Sequence, residues 1–104
     1  MNAQIKKGIL ETCILWIVKT EKSLYGYDLI KKMIEFFPEV NESTFYAILR
    51  RLEQRDTINS IVEKSTEGPP RKYFSITASG EEELKELIDE WNELKSIMSR
   101  LGVE

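Results

Sequence analysis

The apolar residues at the start of the chain recur at steps of three and four, the spacing of an α-helix with a buried face. This pattern predicts a first helix that ends near Thr20. Its apolar flank is unusually wide because two stripes run along it. The first stripe consists of Ile5, Ile9, Thr12, Cys13, Trp16 and Ile17, and the second of Leu10, Ile14 and Val18. We expect one side to pack within its own domain and the other side to pack elsewhere.

Two further segments show the same helical spacing. A second helix is predicted to begin near Ser23 and to end before Pro38, because proline disfavours helical backbone at the preceding residue. Its inward residues are Leu29, Ile30, Met33, Ile34 and Phe37. A third helix follows, with Asn41 or Ser43 as its N-cap. Its inward residues are Phe45, Ile48, Leu49 and Leu52.

The period then changes. Residues 58–64 and 71–77 are rich in β-branched and aromatic side chains, and the turn-forming stretch TEGPP separates them, which predicts a hairpin. Lys72, Phe74 and Ile76 alternate with neighbours on the opposite face of the second strand. Three helices followed by a hairpin is the order of a winged helix-turn-helix. The predicted fold class is therefore mainly α with a two-stranded β wing.

A last helix is predicted after Thr77, which is its N-cap. Apolar residues along this helix step by three and four, as in a heptad seam. They are Leu84, Leu87, Trp91, Leu94, Met98 and Leu101. We expect this seam to form a dimer interface by packing against the second stripe of helix one in another copy. Residues 1–77 would then be the winged domain, and residues 78–104 a dimerisation helix packed with helix one in a single compact unit.

Composition narrows the possible functions. The chain has 104 residues, enough for one domain, and no apolar run of membrane-spanning length. It has no histidine and a single cysteine, Cys13, so histidine-based catalysis and Cys/His zinc sites are excluded. We therefore expect that the protein is not an enzyme and holds no cofactor or metal. We also expect a reducing, cytoplasmic location.

The distribution of charge is more informative than the net charge of −3. Residues 44–77 hold six Lys/Arg and four Asp/Glu, whereas residues 78–104 hold three and eight. A mildly basic middle suits contact with phosphate, and an acidic end suits contact with another protein.

Several segments follow one another in a specific order and spacing. They are KKGILETCIL in helix one, YGYDL at residues 25–29, STFYAILRRLEQRD at 43–56, GPPRKYFSIT at 68–77, and the later Gly80 and Trp91. Together these segments resemble the PadR family of transcriptional regulators. The resemblance spans nearly the whole chain. It implies a homodimeric repressor that binds a palindromic DNA operator and in some members releases it when a small aromatic compound binds.

The chain departs from the family pattern at two positions. Ala47 stands where the family usually has proline, and Thr57 stands where glycine commonly follows helix three. A β-branched residue disfavours positive φ. Either the turn has a different backbone conformation, or Asp56 takes the positive φ that glycine has in the family.

A recognition helix of this class presents its first residues to DNA base edges, and basic residues farther along hold phosphates. Thr44 and Tyr46 are the candidates for base or sugar contacts, and Arg50 for phosphate or guanine. The wing residues Lys64, Arg71 and Lys72 are candidates for phosphate or the minor groove. The complete set of predicted DNA contacts is Tyr25, Ser43, Thr44, Tyr46, Arg50, Arg51, Lys64, Arg71 and Lys72. The alternatives are an ordinary solvated surface for the charged residues and buried packing for Tyr27.

Trp91 lies on the predicted seam, where an indole can stack on a flat ligand. Trp16 on helix one is a weaker candidate, and for both the alternative is packing. A different function also fits the acidic composition: a winged helix that binds proteins and not DNA. If substitutions of Arg50 and Lys72 left DNA binding unchanged, that alternative would be favoured.

Overall fold

The computed structural model describes residues 3–103 and, within them, the side chains from Lys6 onward. The elements follow in the order α1 (Ala3–Glu21), β1 (Leu24–Tyr25), α2 (Gly26–Phe36), α3 (Glu42–Gln54), β2 (Ile58–Glu63), β3 (Arg71–Ile76) and α4 (Ala78–Leu101). The predicted order of three helices, hairpin and last helix is confirmed.

The helix-turn-helix pair, α2 and α3, buries the faces that the sequence predicts. The fully buried residues of this pair are Leu29, Ile30 and Met33 from α2, and Phe45, Ile48, Leu49 and Leu52 from α3. Ile34 and Phe37 are partly buried against the same core. Helix α2 ends at Phe36, two residues before Pro38. Asn41 is the N-cap of α3 by position, although its side chain makes no capping hydrogen bond.

Helix α1 reverses one expectation. Leu10, Ile14 and Val18, the stripe expected to meet a second copy, are buried in the chain's own core. Leu15 precedes Val18 by three residues and widens the same buried face. Trp16 of the other stripe is 50% exposed, and the side chain of Ile5 lies outside the described residues. By spacing alone, either apolar stripe of α1 could face the core. Only the packing of the whole chain decides which stripe does.

The wing is part of a three-stranded antiparallel sheet with the order β1-β3-β2. In the hairpin Ile58 lies opposite Ile76, and Glu63 lies opposite Arg71. The sequence did not predict β1, which pairs Leu24 with Phe74 and Tyr25 with Tyr73. A two-residue strand is too short to show alternation, so the pairing is visible only in three dimensions.

The turn after α3 uses Asp56 in place of a glycine. Asp56 has φ of 57°, which confirms one of the two alternatives for this turn. Thr57 is then free of that strain, and its N–H donates to the carbonyl oxygen of Leu52 at 2.9 Å. Aspartate tolerates the left-handed conformation better than a β-branched residue does.

Helix α4 begins as predicted, and its first part packs on the domain whereas its second part is exposed. The Thr77 hydroxyl accepts a hydrogen bond from the Gly80 N–H at 3.0 Å, the bond of an N-cap. Leu84 is only 1% exposed, and Leu87 is partly buried against the core. Leu84 was predicted to lie in the dimer interface, and the structure corrects this, because Leu84 is enclosed by its own chain. Residues 89–101 are all exposed, and the molecule is 57 Å long.

Candidate nucleic-acid interface

The side of α3 opposite its buried residues faces outward. Ser43, Thr44, Tyr46 and Arg50 are exposed on it, whereas Phe45, Ile48 and Leu49 between them are buried. This alternation follows from the helical period, because residues three and four apart share a face. The outer face therefore combines hydroxyls, a phenol and a guanidinium, groups that hydrogen-bond to bases and phosphates.

The starts of α2 and α3 lack side-chain caps. Neither Tyr25 nor Asn41 makes a side-chain capping hydrogen bond. Uncapped first-turn amides and the helix dipole favour anions at such positions.

A cleft of about 380 Å³ lies between the start of α2, the outer face of α3 and strand β3. It brings together four of the predicted DNA contacts, Tyr25, Tyr46, Arg50 and Lys72. The remaining lining residues are Gly26, Tyr27, Leu49, Glu53, Pro70 and Phe74. Gly26 permits the close approach of α2 to β3, because a Cβ atom there would lie 3.0 Å from Cε2 of Phe74.

Aromatic rings join the start of α2 to the wing. The ring centroid of Tyr25 lies 5.9 Å from that of Tyr27 and 5.7 Å from that of Tyr73. The Arg71 guanidinium lies 5.0 Å from the Tyr25 ring centroid, within the range of a cation–π contact. This contact favours a position of Arg71 beside the cleft.

Intramolecular carboxylates divide the predicted cations into two groups. Lys72 pairs with Glu53 at 3.0 Å, and Arg51 lies 3.8 Å from Glu11 of α1. Arg50, Lys64 and Arg71 pair with no carboxylate in the described part of the chain. Arg51 is therefore paired with a carboxylate of α1, and it is not among the residues that line the cleft.

Two titratable groups of the cleft are held in one protonation state at neutral pH. Partial burial, together with the negative charge of Glu42, raises the pKa of the Tyr46 hydroxyl, which stays protonated and can donate a hydrogen bond. Hydrogen bonds from Ser60 and Lys72 lower the pKa of Glu53 despite partial burial. Glu53 therefore stays negative in a cleft whose lining also includes two cations, Arg50 and Lys72, and four aromatic rings.

Other predicted contacts lie outside the cleft lining. Ser43 and Thr44 are in the first turn of α3, and Lys64 directly follows β2. Sequence reasoning missed Tyr27 and Glu53 as cleft residues. Tyr27 is 52% exposed, so the buried alternative considered for it is wrong. The residue spacing gave no signal of this exposure, because Tyr27 lies three residues before Ile30, at the edge of the buried face of α2.

A second concave surface follows the exposed part of α4. This groove, of about 660 Å³, is lined by Trp91, Leu94, Lys95, Met98, Ser99, Gly102 and Val103. Trp91 is 50% exposed, and the Lys95 ammonium lies 5.9 Å from its ring centroid. Trp16 is equally exposed but does not line this groove.

The described residues contain neither a metal-binding cluster nor a membrane-spanning helix. Residues 3–103 contain no cluster of three or more Cys, Asp or Glu side chains arranged to hold a metal ion. None of the helices within that range is both long and apolar enough to cross a membrane.

The buried α2–α3 pair, the polar outer face of α3 and the adjoining cationic wing define a winged helix-turn-helix DNA-binding protein. Residues 14–86 match the Transcriptional regulator PadR-like family. The chain belongs to this family. Because its relatives are transcriptional regulators, the expectation that it is not an enzyme is confirmed.

Solved structures agree with this assignment. A PadR-like transcriptional regulator from Bacillus cereus is 35% identical, with coverage of 95% of this chain and 96% of that chain and a TM-score of 0.81. A Streptococcus transcriptional regulator is 32% identical, with coverage of 96% and 98% and a TM-score of 0.83. An uncharacterised protein of Lysinibacillus sphaericus is 34% identical over 94% of this chain and 92% of its own length.

Proposed function

We propose that this PadR-family regulator is a repressor that binds a palindromic operator as a homodimer in the cytoplasm. The observation that carries the proposal is the cleft that joins Tyr46 and Arg50 of α3 to the wing cation Lys72. A dimer would set two recognition helices about 34 Å apart, one turn of DNA, so that each reads one half-site. Occupation of a promoter would then block transcription.

The uncovered seam of α4 supports the dimer. Trp91, Leu94, Met98 and Leu101 are exposed along one stripe of a 24-residue helix. A contiguous apolar stripe of this kind marks an interaction surface. A second copy is the proposed occupant, since an isologous interface requires only that the same stripe be present on both partners.

A flat aromatic ligand between the α4 helices of the dimer is the proposed inducer. The half-exposed Trp91 ring supports stacking, and Trp16 is a secondary candidate. Such a ligand would release DNA only if it bound one dimer geometry more tightly than the other. Quenching of tryptophan fluorescence by an aromatic compound, lost in Trp91→Phe while DNA affinity is kept, is the expected result.

The test of DNA binding is a polarisation titration of the protein with its own promoter DNA and with an unrelated duplex of equal length. Arg50→Ala should weaken promoter binding about ten- to hundredfold, the loss typical of a base or phosphate contact. Lys85→Ala, which removes the same charge from the exposed side of α4, is the matched control and should bind like the wild type.

Equal and weak wild-type binding to both duplexes, insensitive to Arg50→Ala and Lys72→Ala, would contradict the repressor. It would instead favour the winged helix as a protein-binding module. Transcription from the bound promoter in a purified system separates repression from activation: added protein should lower the transcript, and a higher transcript would contradict repression.

A further inference from the structure

Glu53 is an acidic side chain in a cleft where phosphate is expected to bind. Among the residues that line the cleft, it is the only carboxylate. Its side chain is 34% exposed, so it is not enclosed in the core. A negative charge at this place repels DNA, and it requires a compensating role.

The contacts of Glu53 extend to both strands of the wing. Its Oε1 accepts a hydrogen bond from Lys72 Nζ of β3 at 3.0 Å, and its Oε2 accepts one from the Ser60 hydroxyl of β2. Glu53 itself belongs to α3, whose outer face carries Tyr46 and Arg50. One carboxylate therefore joins the recognition helix to the wing.

This arrangement has two electrostatic consequences. The pair cancels the charge of Lys72, and it keeps the ammonium beside α3 when no DNA is bound. An unpaired lysine is a mobile point charge that reaches phosphate in many orientations of the protein on DNA. A held lysine meets phosphate only when α3 is already seated in the groove. Sequence-independent binding, which depends almost entirely on phosphate contacts, is weakened more than specific binding.

We propose that Glu53 is a specificity-determining residue, which holds Lys72 and the wing against α3 and thereby suppresses binding to non-operator DNA. This inference rests on the proposed function, since it assumes that the cleft meets DNA. It adds that the recognition surface contains a built-in acidic restraint. The same geometry makes Glu53 a positioning residue for the wing, acting through Lys72 and Ser60.

The experiment compares the wild type with Glu53→Gln in salt titrations on promoter DNA and on an unrelated duplex. Glutamine keeps the size and an acceptor oxygen for Ser60 but removes the charge that holds Lys72. Binding to the unrelated duplex should strengthen, and the slope of log K against log salt should steepen by about 0.9, one additional phosphate. The extra loss of affinity between 50 and 200 mM salt is about three- to fourfold. The preference for promoter DNA should fall.

Two controls separate the possible causes. Glu82→Gln removes an equal charge from the exposed start of α4 and should leave both duplexes unaffected. In the double variant Glu53→Gln/Lys72→Ala the steeper slope should disappear, because Lys72 supplies the additional contact. A steeper slope that persists in the double variant would overturn the role assigned to Lys72. Ser60→Ala tests the second contact and should lower the promoter preference without a change of slope.

The failure of this inference differs from the failure of the proposed function. If the wild type prefers its promoter DNA and Glu53→Gln has the same affinities and salt slopes, the inference is wrong and the repressor stands. If the wild type shows no preference for any promoter duplex, the proposed function fails, and the role of Glu53 in specificity fails with it.

Discussion

The two halves of α4 carry the same apolar spacing but have opposite surroundings. In the first half Leu84 is 1% exposed, and Ile88 packs against the core. In the second half Leu94 is 45% exposed and Leu101 is 74% exposed. The heptad spacing therefore marks which residues share a face of the helix, but it does not tell which part of that face the chain covers itself.

Specific contacts hold the first half in place. The Thr77 hydroxyl caps it, and Gly80 lies against the backbone of Thr57. Glu83 accepts hydrogen bonds from Arg55 and from the Thr57 hydroxyl. In the second half residues 89–101 are all exposed, and the side-chain contacts described there are local to α4: Arg100 Nε donates to the Ser96 carbonyl oxygen, and the Lys95 ammonium lies near the Trp91 ring. The first half therefore serves the fold, and the exposed second half is the proposed dimer surface.

The largest expected effect comes from shortening a leucine in each half. Leu84→Ala should lower the free energy of unfolding by about 2–5 kcal/mol, because it leaves a cavity in the core. The loss should be the same at every protein concentration. Leu94 is proposed to contact a second copy, and dimerisation makes the free energy of unfolding rise with protein concentration. Leu94→Ala should therefore reduce this concentration-dependent contribution and leave the remaining stability unchanged. Urea unfolding over a range of protein concentrations measures both, and a concentration-independent loss of equal size for Leu94→Ala would remove the distinction.

A methyl group at Gly80 should also destabilise the first half. A Cβ atom there would lie 2.0 Å from the carbonyl oxygen of Thr57, so α4 must shift away. We expect Gly80→Ala to cost about 1–3 kcal/mol or more, as overpacking does. Gly8→Ala in α1 is the matched control, because nothing lies within 4 Å of its added carbon. That control should stabilise the protein by up to about 1 kcal/mol through helix propensity, and thermal unfolding of the two variants checks the difference in sign.

The ion pairs between α1, α3 and α4 should contribute a smaller effect. Partial burial opposes the charge of Arg55, but hydrogen bonds and attraction from Glu83, and then Glu11, raise the pKa of its guanidinium. The Oε1 atom of Glu11 is buried without a hydrogen-bond partner among the described residues, so Arg55→Ala would leave this carboxylate with only the Arg51 guanidinium, 3.8 Å from that atom. We expect a loss of about 1–2 kcal/mol in urea unfolding, the lower part of the range for charged hydrogen bonds, because the Arg55 side chain is 43% exposed and solvent screens its ion pairs. Arg100→Ala, which removes an exposed cation from the second half, should change the stability by less than about 0.5 kcal/mol. Equal losses in both variants would show that the Arg55 contacts add nothing.

The smallest effects should come from the two ends of α4. Thr77→Ala removes the N-cap and should cost about 1 kcal/mol, because the first turn is anchored and cannot unwind freely. Gly102 ends the helix with φ of 95°, and alanine there is strained. The exposed end can fray to avoid this strain, so Gly102→Ala should cost less than Thr77→Ala. Amide hydrogen exchange along α4 should show loss of protection spreading from the substituted end in each variant.

The sequence by itself determined the local features of this protein. The inward faces of α2 and α3, the strands of the hairpin and the Thr77 cap follow from residue spacing and local chemistry, and all agree with the structure. The candidate surface of α3 was predicted in the same way, since Thr44, Tyr46 and Arg50 lie off the buried face. The family resemblance, carried by motifs in order along the chain, was also present in the sequence.

Only the tertiary structure decided which elements meet. It selected the inward stripe of α1, added β1 to the sheet, enclosed Leu84 in the core, and paired Lys72 with Glu53. Helical and strand periodicity arises between neighbours in the chain, and so it can be read from spacing. Burial and ion pairing join residues far apart in sequence, such as Glu11 and Arg51. Burial and ion pairing therefore depend on how complete helices and strands pack, and no local sequence pattern predicts that packing.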